Sequence, residues 1–204
     1  LEDLTGTSLP DYFANLVVVA EGTKLPAGEL YRVLRPCGGV MIFAGVSIER
    51  QKSFIELAKI PSSEVRKIER GYIITRGKLP GALDWDSEAT NDQRLKWPLE
   101  LAWFGGPGPS RMANRHRAFM PAVANGRYFA VGNHHLMAVD AYNGLELWSK
   151  EMRGLAHNLG QLVADDETVY VHLQGRCLAL DAQTGVTKKV FRKAGGPPAN
   201  PGEE

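Results

Sequence analysis

Hydrophobic residues in the first third of the chain fall in patterns that predict strands alternating with helix. Asn15-Leu-Val-Val-Val-Ala20 is a continuous run, rich in β-branched residues and bounded by turn formers, which predicts a strand buried on both faces as in a parallel sheet. Pro26–Arg35 places Leu30, Val33 and Leu34 at helical spacing, and Pro36 with Gly38 and Gly39 supplies the stop. Val40–Ala44 is a second apolar run, so the order strand, helix, strand predicts a βαβ unit with a right-handed crossover. Ser53–Lys59 puts Phe54, Leu57 and Ala58 on one helical face. Val65–Glu69 and Tyr72–Thr75 then predict a hairpin about Arg70 and Gly71, an antiparallel pair closing the sheet.

Beyond residue 120 the pattern becomes a repeat. Ala124-Asn-Gly-Arg-Tyr-Phe-Ala-Val131 with Leu136–Trp148 aligns with Ala164–Val171 and Cys177–Gly185. Asp140 matches Asp181 and Gly144 matches Gly185, each pair 41 residues apart, a period expected of four-stranded propeller blades. Tyr128–Val131, Leu136–Val139, Val169–Val171 and Cys177–Leu180 predict strands. In each Asp-Ala-x-x-Gly segment the carboxylate accepts backbone N–H groups and Gly supplies the positive φ that closes a turn, so Asp140 and Asp181 are turn formers before they are catalytic candidates. Leu101-Ala-Trp-Phe104 and Leu147-Trp148 are matching outer strands. Lys189 stands where the register places Trp, and Phe191 is expected to take over its packing.

Residues 78–95 are polar and aperiodic and read as a linker, in which Trp85 is expected to dock onto a neighbouring domain. The organisation is therefore 1–77, an α/β domain; 78–95, a linker; 96–193, propeller repeats; and 194–204, a flexible Gly- and Pro-rich tail.

Two resemblances follow from these residues. Asp3-Leu-Thr-Gly-Thr-Ser-Leu-Pro-Asp-Tyr-Phe-Ala-Asn-Leu-Val-Val-Val and then Glu29-Leu-Tyr-Arg-Val-Leu-Arg-Pro-Cys-Gly-Gly resemble the second half of class I S-adenosylmethionine-dependent methyltransferases. The resemblance implies that Asp3 and Leu4 lie at the cofactor's adenine. It also implies that the Gly-rich first turn and the acid that holds the ribose precede Leu1, so S-adenosylmethionine belongs to a complete parent and no cofactor is expected for this chain alone. The repeats resemble those of pyrroloquinoline-quinone-type, or quinoprotein-like, propellers: a strand after Ala-x-Gly, then Ala-(Leu/Val)-Asp-Ala-x-x-Gly, then Leu-Trp. Pyrroloquinoline quinone itself is not expected, because many propellers with this repeat bind none. The fold class implied is a partial Rossmann-like methyltransferase α/β segment followed by all-β blades of an incomplete propeller, since two blades do not close a ring.

Composition narrows the partners. With 24 basic and 23 acidic residues the net charge is +1, so no overall field draws the chain to nucleic acid or a membrane surface. Neither is expected as a partner. The longest apolar runs fall far short of a bilayer span, and Cys37 and Cys177 sit in different modules, which argues against a bridge. His134-His135, His116 and His157 lack companions at ligand spacing, so no metal is expected. The loop Gly105–Arg117 offers Arg111, Arg115 and Arg117 as an anion-binding candidate, although it lacks a P-loop ending and Pro107 and Pro109 remove amide donors. No catalytic residue emerges. The function expected is a binding or scaffold module presenting propeller loops to a protein or polymer partner. The alternatives are a fragment of a methyltransferase and part of a quinone-dependent oxidoreductase.

Overall fold

In the computed structural model, residues 6–82, 121–132, 134–152, 155, 162–173 and 175–192 are described. Contacts divide the chain into two units, Leu1–Ala82 and Leu83–Glu204. Much of the segment read as a linker, with Trp85, and the outer strand expected at Leu101–Phe104 lie outside the described residues.

The first unit runs β1 (Leu16–Ala20), α1 (Ala27–Val33), β2 (Val40–Ala44), α2 (Ile48–Leu57), a 3₁₀ turn (Ser62–Glu64), β3 (Val65–Ile68) and β4 (Gly71–Thr75). The sheet order is β1-β2-β4-β3. β1 and β2 are parallel, with Val17 opposite Met41 and Val19 opposite Phe43, whereas β4 is antiparallel to both neighbours. The βαβ unit and the closing hairpin are thus present, in a mixed sheet. Val17, Val19, Met41 and Ile74 form one face, packed against Leu30 and Val33 of α1 and Phe54 and Ile55 of α2.

Two expectations need correction. β1 is not buried on both faces: Leu16 and Val18 are 57% and 52% exposed. β1 is the sheet's edge, and the helices lie over the opposite face, so alternate residues meet solvent. The other edge, β3, carries exposed Arg66 and Lys67, charges that discourage further pairing. The second helix also begins earlier than Ser53, where Ser47 caps it by accepting from the Arg50 amide at 3.4 Å. Its Leu57 is 76% exposed rather than core-facing. The buried residue is Gln51, whose carboxamide donates to Val46 O (2.7 Å) and accepts from Tyr72 N (2.9 Å). That polar link between α2 and β4 takes the place that apolar periodicity reserved for Leu57. Gly71, at φ +135°, leaves room for it, since a Cβ there would collide with the Gln51 carboxamide.

The second unit contains two antiparallel meanders: β5 (Ala122–Ala124), β6 (Arg127–Val131), β7 (His135–Asp140) and β8 (Glu146–Glu151), then β9 (Leu162–Ala164), β10 (Thr168–Leu173), β11 (Arg176–Asp181) and β12 (Thr187–Arg192). Each is paired in sequence order. Their irregularities coincide across the repeat, with a register shift between Ala138 and Val139 in one and between Ala179 and Leu180 in the other. The turns match bond for bond. Asp140 N donates to Leu145 O and Gly144 N to Asp140 O in the first; Asp181 N donates to Val186 O and Gly185 N to Asp181 O in the second. Both turn glycines have φ near +73° (73° and 72°), the left-handed geometry that favours Gly. Phe129, Leu136 and Ala138 of the first sheet pack with Val169, Val171, Leu178 and Leu180 of the second in one core. Two stacked four-stranded meanders of this kind are compatible with neighbouring propeller blades. No helix among the described residues is long and apolar enough to cross a membrane.

Candidate functional site

The first unit has a cleft of about 300 Å³ at the carboxyl ends of β1 and β2, where open α/β sheets place ligands. Its walls come from Val19 and Ala20 ending β1, the following turn with Thr23 and Leu25, the start of α1, Phe43 and Val46 after β2, and Phe54 and Leu57 of α2. Phe43 and Phe54 meet edge to face at 5.4 Å. At the rim Arg50 pairs with Glu21, both more than half exposed. The Thr23 hydroxyl is held locally, donating to Ala20 O at 2.8 Å. The described walls contain no His, Cys or carboxylate, and their polar side chains are those of Thr23, Arg50 and Ser53 beside a largely apolar lining. Among the described residues its lining includes neither a Gly-rich turn nor a carboxylate of the kind that holds a ribose.

Other polar side chains of this unit act structurally. Glu29 and Arg32 pair as their spacing suggests, at 2.6 and 2.8 Å, and Glu29 also accepts from the amide and hydroxyl of Thr7. Arg32, followed by Thr7, holds the Glu29 carboxyl well below the usual carboxylate range. Arg76 is buried and donates to the carbonyls of Tyr31 (2.6 Å), Arg32 (3.3 Å) and Leu34 at the end of α1, where a cation offsets the helix dipole. Its guanidinium also lies over the Tyr31 and Tyr12 rings, at 4.3 and 4.9 Å.

In the second unit the chemistry sits at the seam between the sheets. The Trp148 indole lies over Gly185, and its Nε1 donates to Ala182 O at 3.1 Å. Lys150 Nζ reaches Thr187 Oγ1 (2.9 Å) and Gly185 O (3.3 Å). A shallow depression of about 300 Å³ opens over this seam, lined by Trp148, Lys150 and Thr184–Thr187. Asp140 and Asp181 are turn residues: Asp140 Oδ1 accepts from Tyr142 N, and Asp181 Oδ1 accepts from the amides of Gln183 and Thr184 and the Thr184 hydroxyl. For Phe191, expected to take over the Trp packing, the described residues include no sheet beyond β12 that would test this. Phe191 is 44% exposed with Lys189 Nζ 4.8 Å from its ring centroid.

Asp3, Leu4, Arg111, Arg115, Arg117, His116 and His157 all lie outside the described residues. His134 occupies the β6–β7 turn at φ 58°, and His135 opens β7. Among the described residues no three His, Cys, Asp or Glu side chains converge as a metal site requires, and Cys37 and Cys177 form no disulfide. The residues that sequence reading missed are Glu21, Arg50 and Lys150. Their partners are 29 or more positions away, and no local pattern marks such pairs.

No protein-family model matches the chain, and no curated protein matches it in sequence. Partial likenesses occur among solved structures. BamB from Moraxella catarrhalis shares 22% identity over 35% of this chain and 22% of its own, with a TM-score of 0.30. A europium-containing methanol dehydrogenase shares 25% identity over 38% and 15%, with a TM-score of 0.30. The quinohemoprotein alcohol dehydrogenase from Comamonas testosteroni shares 20% over 44% and 15%, with a TM-score of 0.35. The chain spans less than a quarter of each of these structures.

Proposed function

We propose that the chain is a non-catalytic binding or scaffold module: quinoprotein-like propeller blades that present loops to a protein or polymer partner, beside a methyltransferase-like α/β segment that is inactive alone. The observation carrying this reading is the 41-residue repeat, which extends from strands and bulges to matched turn hydrogen bonds. Its Asp residues are occupied in those turns, which leaves the repeats architectural. Pyrroloquinoline quinone is not part of this proposal. The test is turnover by the purified chain. Neither methyl transfer from S-adenosylmethionine nor quinone-dependent dye reduction is expected, and robust activity in either assay would overturn the reading.

A second reading, a fragment of an S-adenosylmethionine-dependent methyltransferase, is favoured by the position of the cleft beyond two parallel strands. Calorimetry should then show S-adenosylmethionine binding to the complete parent and none to this chain. Absence of binding to the parent removes this reading.

A further inference from the structure

Repetition separates what both sheets of the second unit must carry from what one seam adds. Asp140 and Gly144 recur 41 residues on as Asp181 and Gly185, whereas the position 41 after Lys150 is Phe191 and the position 41 before Thr187 is Glu146. The contact between Lys150 and Thr187 is therefore not dictated by the repeat. On β8, Lys150 stands two residues after Trp148 and shares its face of the strand. Both side chains reach the segment that joins β11 to β12, Trp148 Nε1 at Ala182 O, and Lys150 Nζ at Gly185 O and Thr187 Oγ1.

Both partners of the Lys150 ammonium are neutral, and among the described residues it meets no carboxylate. The acid of the same turn, Asp181, is held by the Thr184 hydroxyl and by Lys188 at 3.1 Å. Lys150 thus keeps an uncompensated charge in a half-buried position and uses two of its three donors. The depression of about 300 Å³ opens over this group, a volume at the lower end for small-molecule sites. Trp148 and the 62% exposed Val186 give it an apolar wall. The Thr184 hydroxyl is committed to Asp181, but the Thr187 hydroxyl accepts from Lys150 and retains its own proton to donate.

We propose that this depression binds a small monocarboxylate with an apolar body, its oxygens accepting from Lys150 Nζ and Thr187 Oγ1 and its body lying against Trp148 and Val186. The two donor atoms stand 2.9 Å apart, a span that the paired oxygens of one carboxylate match. One ammonium balances one negative charge, so a phosphate dianion would be left half neutralised and a neutral amide would forgo the charge altogether. The site goes beyond the architectural role proposed above and rests on the seam alone.

The test titrates the isotope-labelled chain with sodium benzoate at ionic strength held constant with sodium chloride, reading the Trp148 indole N–H and the Thr187 amide by NMR. We expect both signals to shift and saturate with a Kd on the order of millimolar, as a single charge and a small body allow. Benzamide, of the same shape without the charge, should shift neither over the same range. Lys150→Met, which keeps most of the side-chain stem, should weaken benzoate on the order of tenfold or more, and Thr187→Val roughly threefold. If Lys150→Met disturbs the sheet, seen as loss of the bonded Trp148 indole signal, the contrast between benzoate and benzamide in the unaltered chain decides alone. Shifts that fail to saturate, a benzamide response equal to that of benzoate, or an unchanged Kd in a folded Lys150→Met chain would each overturn the proposal.

Discussion

Gly185→Ala tests the seam at its tightest point. A Cβ on Gly185 would stand 2.7 Å from Trp148 Cε3 and 2.8 Å from Cδ2, and the residue has φ +72°. The backbone angle costs about 1 kcal/mol for any L side chain held in the left-handed region. The close approach forces a rigid indole, tied through Nε1 to Ala182 O, to shift within a packed core, which adds about 1–3 kcal/mol. The expected loss is about 3 kcal/mol. Gly175→Ala separates the two effects, because Gly175 has φ +77° with open space within 4 Å of where a Cβ would stand, so only the backbone cost of about 1 kcal/mol applies. Urea-dependent hydrogen exchange of the β10 and β11 amides reads the stability of this unit, and a loss of about 3 kcal/mol should speed globally limited exchange on the order of a hundredfold. In a Trp148→Leu background the added cost of Gly185→Ala should fall to about 1 kcal/mol, a coupling of about 2 kcal/mol. Equal losses for Gly185→Ala and Gly175→Ala, or additivity with Trp148→Leu, would refute the reasoning.

Three further outcomes are expected. Gln51→Leu leaves Val46 O and Tyr72 N without their side-chain partners and should cost about 2 kcal/mol in exchange of the first unit's sheet amides; a neutral result would mean that water replaces both bonds. Burial and the Glu64 carboxylate that it donates to push the Tyr31 hydroxyl up to about 12 from the ordinary 10. This contribution to stability is full below pH 10 and fades toward 12, and a tyrosinate absorbance titration should lose a late step in Tyr31→Phe. The Thr184 hydroxyl and then Lys188 pull Asp181 down to about 2 from 3.8, so its contribution is present above pH 3.8 and lost as pH falls toward 2. Asp181→Asn should flatten that part of the second unit's acid stability curve, and an unchanged acid midpoint would argue against it.

What could be read from the sequence was whatever closes within a few residues. The Asp-Ala-x-x-Gly turn carries its own instructions, a carboxylate two or three positions from the amides it accepts and a glycine where φ is positive. Its recurrence therefore marked both four-stranded sheets and their register. The βαβ unit was legible for the same reason, since Leu30 and Val33 lie one turn apart and face the strands that flank them. Ser47 was a legible helix start as well, but Ile48–Lys52 is mostly polar and hid it from a search for apolar periodicity. Gln51 escaped because its value depends on Tyr72, 21 residues away. The cleft escaped because its rim joins Glu21 to Arg50 across the sheet.

The same distinction explains why the two sheets agree in their turns and differ in their outer strands. A turn must satisfy its own amides in every blade, so Asp140 and Asp181 are held to one solution. A seam has only to complement whatever docks on it. Trp148 and Lys150 answer to Ala182, Gly185 and Thr187, which are present in this chain. Lys189 and Phe191 stand exposed, joined to each other by a cation–π contact. A lysine and a phenylalanine on an otherwise solvated strand would be ordinary singly. At the equivalent positions of the neighbouring sheet Trp148 and Lys150 find Ala182, Gly185 and Thr187 within the chain, so the outer strands diverge where the turns, which must satisfy their own amides, do not.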